Sequence, residues 1–514
     1  MPIANSPSTL EQTNTLWGRR FLWGISALFI MRLAYLLIYP LNLTGDEMYY
    51  WDWGRQLDWG YYSKPPLIAW LMHLATLFGG NLEFNIRATS ILLGTGALVL
   101  IFTLTRLLYD SRAGFFAASA CALCPGNVVA NLLLTIDPPL LFCWSGALVA
   151  FWQMSMQRKY WQLWGILLVL LLGLGILTKQ MMLVFIPLAL AHLALNKDLR
   201  SLLSKWWLWT GVLVSLAFLL PTLWWNAKHN WITVEHTAMH FETRSFDLLK
   251  ILGRMGAFIG GQAGLLSPVT FFLIVAVLVG TARKFKELQP RERYLWLFSA
   301  PALIVVFALT LRQNINENWP AVFYITGFVL MAGWITRQFE TGISATWRKA
   351  FVPGLWIGLV LAVLTYSLPF AVQWCNLAGT KYDPTLRLRG WEQLGTAFHN
   401  LYAKPEWPTG AAVITSGHRY NTSAIAFYAP EHPRVYKWPT PGKVESQYDV
   451  WGGFDKLKGR NAVLFHNGEA KDMPKDVETS FERIEYWTQI TIPLGNTKQR
   501  VYQVYRAYGY RGQH

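Results

Sequence analysis

Residues 163–195 read LWGILLVLLLGLGILTKQMMLVFIPLALAHLAL, two apolar runs that meet at Lys179 with almost no loop between them. A helix needs about 20 apolar residues to cross the hydrocarbon core of a membrane, and long apolar runs recur along the chain from Phe21 onward. The whole sequence is 53% hydrophobic and 14% charged, whereas an ordinary soluble domain has roughly 25% charged residues. These features predict an α-helical polytopic membrane protein.

The apolar runs predict about eleven transmembrane spans. We interpret the first as an uncleaved span, because its run is long, contains Arg32 and lacks a small-residue cleavage site. A further apolar stretch, Pro66–Phe78, is too short to span and predicts a helix that lies in the membrane interface. The predicted spans are Phe21–Tyr39, Ile86–Leu107, Ala113–Cys124, Pro138–Met154, Leu163–Leu177, Met181–Leu195, Trp206–Trp225, Phe258–Thr281, Leu295–Leu311, Trp319–Trp334 and Phe351–Phe370. The third of these is short, and its alternative is a span that extends toward Asn131.

The placement of lysine and arginine predicts the orientation of the chain. The net charge is +16, and the cations gather in short, alternate loops between apolar runs. This is the pattern of cytoplasmic loops in membrane proteins, so the charge does not indicate a nucleic-acid partner. We therefore expect a multi-pass protein of the inner (plasma) membrane with a cytoplasmic N-terminus. An odd number of spans then places the C-terminus on the extracytoplasmic side.

The composition changes near the end of the last predicted span. We expect residues 1–372 to form the transmembrane domain and residues 373–514 to form a soluble, extracytoplasmic α/β domain. The spacing of Trp391, Leu394, Phe398 and Leu401 predicts an amphipathic helix in the soluble domain. Strands are predicted from short β-like runs at Ala411–Thr415, Arg434–Trp438, Ala462–Phe465, Gln489–Pro493 and Val501–Tyr505.

The loop after the first span carries two neighbouring acids and a lysine. Asp46 and Glu47 stand at the membrane boundary in the sequence GDEMYYW, and Lys64 follows in YYSKPP. The prolines after Lys64 restrict the chain before the interfacial helix and hold the lysine at the level of the headgroups. This pattern predicts an acid or base beside a cation that can bind a phosphate. The alternative is a solvated interfacial loop with belt aromatics.

Two further charged residues stand at the ends of predicted spans. Asp137, followed by two prolines, opens the fourth span on the same side as Asp46, where a helix N-cap alone would account for it. Lys179 lies between two spans, where an ammonium is costly unless it finds water, an anion or a carboxylate. We predict that Asp137 is a second carboxylate of the site and that Lys179 contacts a phosphate. Snorkelling is the alternative for Lys179.

The extracytoplasmic loop of residues 226–250 is rich in titratable groups. His236 and His240 have helical spacing, but two histidines without further ligands indicate a metal only weakly. Arg244 presents a guanidinium fork that can clamp a phosphate. We therefore expect no cofactor, and a divalent metal is possible but unsupported.

Amides and an acid precede the tenth span. Asn316, Glu317 and Asn318 can hydrogen-bond the hydroxyl groups of a sugar or of an acceptor, with capping and solvation as the alternative. The sequence has no phosphate-binding loop of the Walker type, and its one Gly-x-Gly element near Gly173 lies within a span, so a nucleotide site is not indicated.

In their order along the chain, these residues resemble the bacterial glycosyltransferase family 39/83 group. These integral membrane enzymes have the GT-C fold and are related to protein O-mannosyltransferases and to the aminoarabinose transferase that acts on lipid A. The motifs that carry the resemblance are Asp46-Glu47 with Tyr50, Tyr62 with Lys64-Pro65-Pro66, Asp137-Pro138, Thr178-Lys179, Arg389-Gly390-Trp391 and Phe427-Tyr428.

The resemblance implies roles for individual residues. It makes Asp46 the catalytic acid/base and Asp137 the second acid, and it places Lys64 and Lys179 near the phosphate of a polyprenyl-phosphate monosaccharide. The aminoarabinose transferases have an arginine three residues after the catalytic acid, where this chain has Tyr49. Either Arg55 substitutes for that arginine as a phosphate-binding residue, or the sugar differs.

The residues and the resemblance together predict an inverting transfer of a monosaccharide to an extracytoplasmic lipid, glycan or protein acceptor. A transporter or lipid flippase is the first rival, although such proteins tend to place charges near the bilayer midplane on broken helices. A scaffold that binds the acceptor is the second rival. The predicted substrate-binding residues are Glu47, Tyr50, Tyr62, His240, Asn316, Glu317 and Asn318.

Overall fold

The computed structural model describes residues 9–157, 159–239, 247–341, 343–468 and 475–512. The chain divides into two compact units, each assembled from three segments. The first unit consists of Met1–Leu37, Arg87–Trp224 and Thr237–Tyr366. The second unit consists of Ile38–Ile86, Trp225–His236 and Ser367–His514.

Helices follow one another through the first part of the chain, and helices alternate with strands in the last part. The helices of the first part are α1 (Thr9–Leu36), α2 (Gly45–Gly54), α3 (Leu67–Leu77), α4 (Glu83–Leu108), α5 (Ser111–Ala122), α6 (Pro125–Leu132), α7 (Asp137–Ser155), α8 (Trp161–Thr178), α9 (Phe185–Leu195), α10 (Trp206–Ala217), α11 (Leu220–Lys228), α12 (Ile232–Met239), α13 (Leu248–Leu266), α14 (Pro268–Arg283), α15 (Pro290–Leu297), α16 (Ala300–Leu309), α17 (Ala321–Ile335) and α18 (Phe351–Trp374). The last part contains α19 (Trp391–Tyr402), β1 (Ala412–Thr415), α20 (Arg419–Tyr428), β2 (Val435–Lys437), α21 (Gln447–Trp451), β3 (Ala462–Asn467), α22 (Lys475–Thr479), β4 (Phe481–Pro493) and β5 (Gln499–Tyr510).

The first unit contains apolar helices of membrane-spanning length. Within the described ranges, five helices or helix runs can cross a membrane by length and composition, or up to seven if each of two bent pairs is one span. The unit also has apolar helices too short for that criterion, α17 among them, while α1 and α7 cover the first and fourth predicted spans. The prediction of a polytopic helical membrane protein is therefore confirmed. The count of about eleven spans stays a prediction.

The core of the first unit surrounds α7, which is buried along nearly its whole length. Its Trp144 is fully buried and makes edge contacts with the rings of Phe185 and Phe323, at 5.2 and 5.4 Å between centroids. Phe151, two turns further along, packs against Phe298. A helix so enclosed by others holds the residue at its N-terminus, Asp137, in a fixed position.

One predicted span is wrong in its continuity. Residues Phe258–Thr281 do not form a single helix, because α13 ends at Leu266 and α14 starts at Pro268 with a bend of 108° between them. Ser267 at the break has φ of 65°, and Pro268 cannot donate the backbone hydrogen bond that would continue a helix. The apolar run in the sequence continues across the break and hides it.

The second unit contains a five-stranded sheet of order β2-β1-β3-β5-β4. Strand β1 pairs in parallel with β2 and β3, whereas β5 is antiparallel to both β3 and β4. Helix α19 packs its predicted apolar positions, which are all buried: Trp391, Leu394, Phe398 and Leu401. The predicted α/β architecture and amphipathic helix are thus confirmed, although β4 begins at Phe481, before the predicted Gln489.

The loop after the first span belongs to the same compact unit as the C-terminal residues. The backbone N–H of Leu43 donates to the hydroxyl of Tyr428 at 2.7 Å, and the ring of Trp51 on α2 meets that of Phe427 on α20 edge-on at 4.9 Å. The stretch predicted to lie in the interface is the helix α3, whose position relative to a membrane stays a prediction. The proposed domain boundary at residues 372 and 373 also stays a prediction, and compactness adds this loop to the C-terminal residues.

Candidate active site

Asp46 lies in the first turn of α2, with 42% of its side chain exposed. Thr44 caps this helix: its hydroxyl accepts the N–H of Glu47 at 3.0 Å, and the Glu47 carboxylate accepts the N–H of Thr44 at 2.8 Å. Because this reciprocal pair satisfies the helix terminus, Asp46 is not needed as a cap. Its carboxylate is free to face groups from elsewhere in the second unit.

Two residues at the start of α20 hold the Asp46 carboxylate. The hydroxyl of Tyr420 donates to Oδ1 at 3.1 Å, and Nη2 of Arg419 donates to the same oxygen at 3.3 Å. Burial raises the pKa of the Tyr420 hydroxyl to about 12, with a further contribution from the negative charge of Asp46. Tyr420 therefore keeps its proton at neutral pH and donates it in the hydrogen bond to Asp46.

The close approach of α2 and α20 depends on Gly45. A Cβ atom at that position would lie 2.3 Å from ring atoms of Tyr420, so only glycine leaves room for the tyrosine beside Asp46. The guanidinium of Arg419 lies 5.0 Å from the ring centroids of both Tyr49 and Tyr420. Sequence reasoning missed Arg419 and Tyr420, since neither stands in a motif and both are far from Asp46 along the chain.

The other predicted residues of the first loop are mostly buried. Glu47 is 0% exposed and its carboxylate serves the capping of α2, which gives it a structural role. Tyr50 is buried against Trp53, with ring centroids 4.9 Å apart. Tyr62 is also buried: its backbone N–H donates to Oε1 of Gln447 at 2.6 Å, and its ring packs on that of His236. The contact of these residues with a substrate stays a prediction.

The two predicted phosphate-binding cations of the first loop have different surroundings. Lys64 is partly exposed in the second unit, and its carbonyl accepts the N–H of Tyr61 at 3.2 Å. Arg55 binds Oδ1 of Asp52 at 3.2 Å and the carbonyl oxygen of His432 at 2.8 Å. In this arrangement Arg419, rather than Arg55, is the arginine beside Asp46.

The predicted residues of the first unit form a cluster of their own around Asp137. Nζ of Lys179 donates to Oδ1 of Asp137 at 3.1 Å, and Nδ2 of Asn318 donates to Oδ2 at 2.6 Å. The side chains of Lys179 and Asp137 are only 14% and 16% exposed. The structure thus brings together three residues that were predicted separately.

This geometry answers two of the alternatives for these residues. The N-cap of α7 is Ile136, so the N-cap interpretation of Asp137 is wrong. Lys179 follows the end of α8 in an extended conformation and directs its ammonium to a carboxylate, so pairing rather than snorkelling accounts for its position. Asn316 and Glu317 are exposed next to Asn318, and the carbonyl of Glu317 accepts Nε2 of Gln262 at 3.0 Å.

A cavity of about 290 Å³ opens beside this cluster within the first unit. Its polar lining includes Asp137, Glu317 and Asn318, while most of its wall is apolar and includes Leu141 and Phe328. A cavity with a mostly apolar lining and a few polar groups fits an amphiphile with a small charged head.

Some predicted residues lie outside the described residues, namely His240 and Arg244. Across the ranges that the structure describes, no group of three or more His, Cys, Asp or Glu side chains could hold a metal ion.

Comparisons with known proteins give relatives of one kind. Residues 63–225 match the family model described as dolichyl-phosphate-mannose-protein mannosyltransferase. The lipid A galacturonosyltransferase RgtD of Rhizobium johnstonii is 31% identical over 304 residues. That alignment covers 58% of this chain and 62% of the relative, so the chain matches less than two thirds of the length of this curated relative.

Solved structures share the fold over nearly the whole chain. The structure of ArnT from Cupriavidus metallidurans bound to undecaprenyl phosphate matches with a TM-score of 0.58 and 15% identity, over 95% of this chain and 98% of that one. An oligosaccharyltransferase from Archaeoglobus fulgidus matches with a TM-score of 0.51 and 14% identity, over 87% of this chain and 69% of that one. The chain therefore has the GT-C fold, and its predicted resemblance to membrane-embedded glycosyltransferases is confirmed.

Proposed function

We propose that this protein is an integral membrane glycosyltransferase that moves a monosaccharide from a polyprenyl-phosphate donor to an extracytoplasmic acceptor. The observation that carries the proposal is the half-exposed Asp46 carboxylate, held by Arg419 and Tyr420 at the start of a helix that it does not cap. The sequence similarity to a lipid A galacturonosyltransferase and to the mannosyltransferase family supports the reaction class.

Asp46 acts as the general base of the transfer. It accepts the proton of an acceptor hydroxyl while that oxygen attacks the anomeric carbon of the donor sugar, and the bond from that carbon to the phosphate oxygen breaks. Attack opposite the leaving phosphate inverts the configuration of the anomeric carbon. Arg419 and Tyr420 fix the direction of the carboxylate through their hydrogen bonds to its Oδ1 atom.

Donor binding is assigned to the cluster of the first unit. Lys179 and Asn318 both direct N–H groups to Asp137, which lines a mostly apolar cavity. When the lipid phosphate enters, Lys179 exchanges the carboxylate for the phosphate and stabilises the charge that grows on the leaving group. The apolar wall of the cavity receives the part of the prenyl chain next to the phosphate. For Lys64, phosphate binding stays a prediction from its sequence position.

The names of the relatives point to a first set of substrates. One relative is a lipid A galacturonosyltransferase, and one structural neighbour was solved with undecaprenyl phosphate. We assign to this chain a polyprenyl-phosphate donor and an amphipathic glycan acceptor of the lipid A type, with galacturonosyl as the first sugar to test. The protein lies in the inner membrane with its N-terminus in the cytoplasm, on the charge pattern of its loops.

The decisive experiment uses purified protein with polyprenyl-phosphate sugars labelled in the sugar. The proposal expects free polyprenyl phosphate and a labelled acceptor in equal amounts, with inverted anomeric configuration by NMR. Asp46→Asn protein, purified in the same way, is the control for contaminating activity. Movement of the donor across the membrane of proteoliposomes, without cleavage of the bond between sugar and phosphate, would instead support a flippase. Binding of the acceptor without transfer would support a scaffold.

A further inference from the structure

A second cavity, with several polar residues in its lining, lies in the second unit. Asp46 is not among the residues that line it. The cavity has a volume of about 270 Å³, and its lining includes Asp52, Arg55, Arg434, Tyr436, Tyr448 and Trp451. Asp46 and Asp52 are six residues apart on α2, which is about 9 Å along a helix axis and roughly a third of a turn around it. The two acids therefore serve different faces of the same helix.

The acid of this cavity is fully engaged. Oδ1 of Asp52 accepts from Arg55 at 3.2 Å, and Oδ2 accepts from the hydroxyl of Tyr448 at 2.7 Å. Asp52 is 5% exposed, and burial raises the pKa of its carboxyl against the opposing influence of Arg55, Tyr448 and the more distant charge of Arg434. These two hydrogen bonds account for the position of the Asp52 carboxylate.

Arg434 has the opposite character. It is exposed, and its guanidinium lies 5.1 Å from the centroid of the Tyr436 ring. Among the residues that the structure describes, none forms an ion pair with it at 4.0 Å or less. With Arg55 paired to Asp52, the cavity retains one guanidinium that is not neutralised by direct contact. A cationic fork on an aromatic ring is a common way to recognise a carboxylate or a phosphate.

A glycine turn and two aromatic rings border the cavity. The turn after α21 has two glycines with positive φ, 52° at Gly452 and 94° at Gly453. A Cβ atom at Gly453 would lie 3.5 Å from Nη2 of Arg434, an ordinary contact distance, so this turn passes close to the guanidinium. The rings of Tyr448 and Trp451, 5.6 Å apart and nearly perpendicular, line the cavity with aromatic surface.

We propose that this cavity binds an acidic saccharide unit, a sugar ring that carries a carboxylate or a phosphate, in the acceptor of the transferase. Arg434 binds the acidic group, and the aromatic walls cover the apolar face of the ring. The identification of the ligand as part of the acceptor rests on the proposed function, whereas the binding of an acidic sugar does not. The cavity then holds the acceptor by a sugar ring that takes no part in the transfer.

The test is direct binding to the full-length, detergent-solubilised protein by saturation-transfer NMR, which detects weak ligands. The probes are methyl glucuronoside, the neutral methyl glucoside and glucose 6-phosphate. We expect the neutral sugar to bind at least about tenfold more weakly than one of the acidic sugars, and Arg434→Ala to remove that preference. Preference for the carboxylate or for the phosphate identifies the acidic group.

Arg483→Ala is the control for the loss of an exposed arginine that lies over a tyrosine ring. Arg483 lies over Tyr508, outside the cavity, and differs from Arg434 in its ion pair with Glu485 at 3.4 Å. The Arg483→Ala protein should bind all three probes as the parent does. Equal binding of neutral and acidic sugars, or unchanged binding in Arg434→Ala protein, would overturn the proposal. Release of polyprenyl phosphate, assayed in the same preparations, reports on the transfer reaction separately, so that loss of one result does not imply loss of the other.

Discussion

The ammonium of Lys179 lies 3.1 Å from Oδ1 of Asp137, joining residues 42 positions apart at the ends of two neighbouring helices. Both side chains are largely buried, and a pair of this kind is costly to break by removing one partner, because the other charge is left uncompensated. Under the proposed function, a lipid phosphate that enters beside Lys179 competes with Asp137 for the same ammonium. The proposal therefore predicts that this pair controls the strength of phosphate binding.

Opposite changes in the two partners should have opposite effects on lipid phosphate. Lys179→Ala removes a charge-assisted hydrogen bond of about 1.5–3 kcal/mol and should weaken undecaprenyl phosphate binding by about 10- to 100-fold. Asp137→Asn removes the competing carboxylate and should tighten it several-fold. Equilibrium binding of the labelled lipid in detergent measures both.

Thermal unfolding supplies the control for these variants. Without lipid, Asp137→Asn protein should melt below the parent, since Lys179 has lost its counter-charge. Added undecaprenyl phosphate should raise its melting temperature by more than that of the parent, because ligand binding adds to stability. Identical lipid affinity in the parent and in both variants would show that the pair has a purely structural role.

Substitution of Asp46 by asparagine should abolish transfer and leave the fold intact. Asparagine can still accept the hydrogen bond of Tyr420 but cannot take a proton. A positioned general base contributes about 10²–10⁴-fold to rate, so kcat should fall by that factor while donor binding is retained. Single-turnover measurements with labelled donor give both quantities.

Glu47→Gln is the internal control for Asp46. The glutamate lies next to Asp46 but is buried, with its carboxylate on the backbone of Thr44, and glutamine can make the same capping contact. Its transfer rate should stay close to that of the parent. If Asp46→Asn protein transfers at the parent rate instead, an acceptor that is already ionised becomes the better explanation, because it needs no base.

The sequence allowed single candidate residues to be predicted, but it did not allow the residues that contact them in the fold to be predicted. The cost of a lysine between two spans identified Lys179, and periodicity over one short segment identified α19. The partner of Asp46, by contrast, is 373 residues away, and no local pattern links an acid to an arginine at that distance. The break at Ser267 was hidden because its neighbours are as apolar as those inside a span.

The first-loop acids show how local and distant information differ. Asp46 and Glu47 are equivalent in the sequence, yet only Asp46 is exposed, because the capping pair of Thr44 and Glu47 fixes which acid turns inward. A capping box can be recognised in a sequence from threonine and glutamate at this spacing. The grouping of the first loop with the C-terminal unit requires the contacts of α2 with α20, which appear only in the folded chain.

A pH dependence of stability should arise at His418. This residue caps α20, where its Nδ1 accepts the N–H of Tyr420 at 3.3 Å, and burial together with the charge of Arg419 lowers its pKa below 6.5. A lowered folded-state pKa means that the unfolded chain binds the proton more readily. Stability should therefore be constant above about pH 6.5 and decrease as the pH falls below it.

His418→Asn tests this dependence without removing the cap, since asparagine is a good N-cap residue. Urea unfolding at pH 7.5 and pH 5.5 should show a smaller loss of stability in the variant than in the parent. At pH 7.5 the two proteins should be within about 1 kcal/mol of each other, the usual range for exchange of one capping residue by another. An equal loss in both would assign the effect to other groups.

Arg419 and Tyr420 should act on the rate through Asp46 rather than on the stability of the fold. Each donates one hydrogen bond to the same carboxylate oxygen, so Tyr420→Phe should lower kcat about tenfold and Arg419→Ala by about 10- to 100-fold, from the energy of bonds to a charged group. Arg419→Lys should recover part of the rate, and added guanidinium should recover part of the rate of the alanine variant. In Asp46→Asn protein, Tyr420→Phe should have almost no further effect on kcat, because the effects of substitutions in residues that act together are not additive. Two results would show that these residues support the fold and do not position the base. In the first, the effects of the two substitutions on kcat multiply in the double variant. In the second, Arg419→Ala protein has a lower melting temperature but an unchanged kcat.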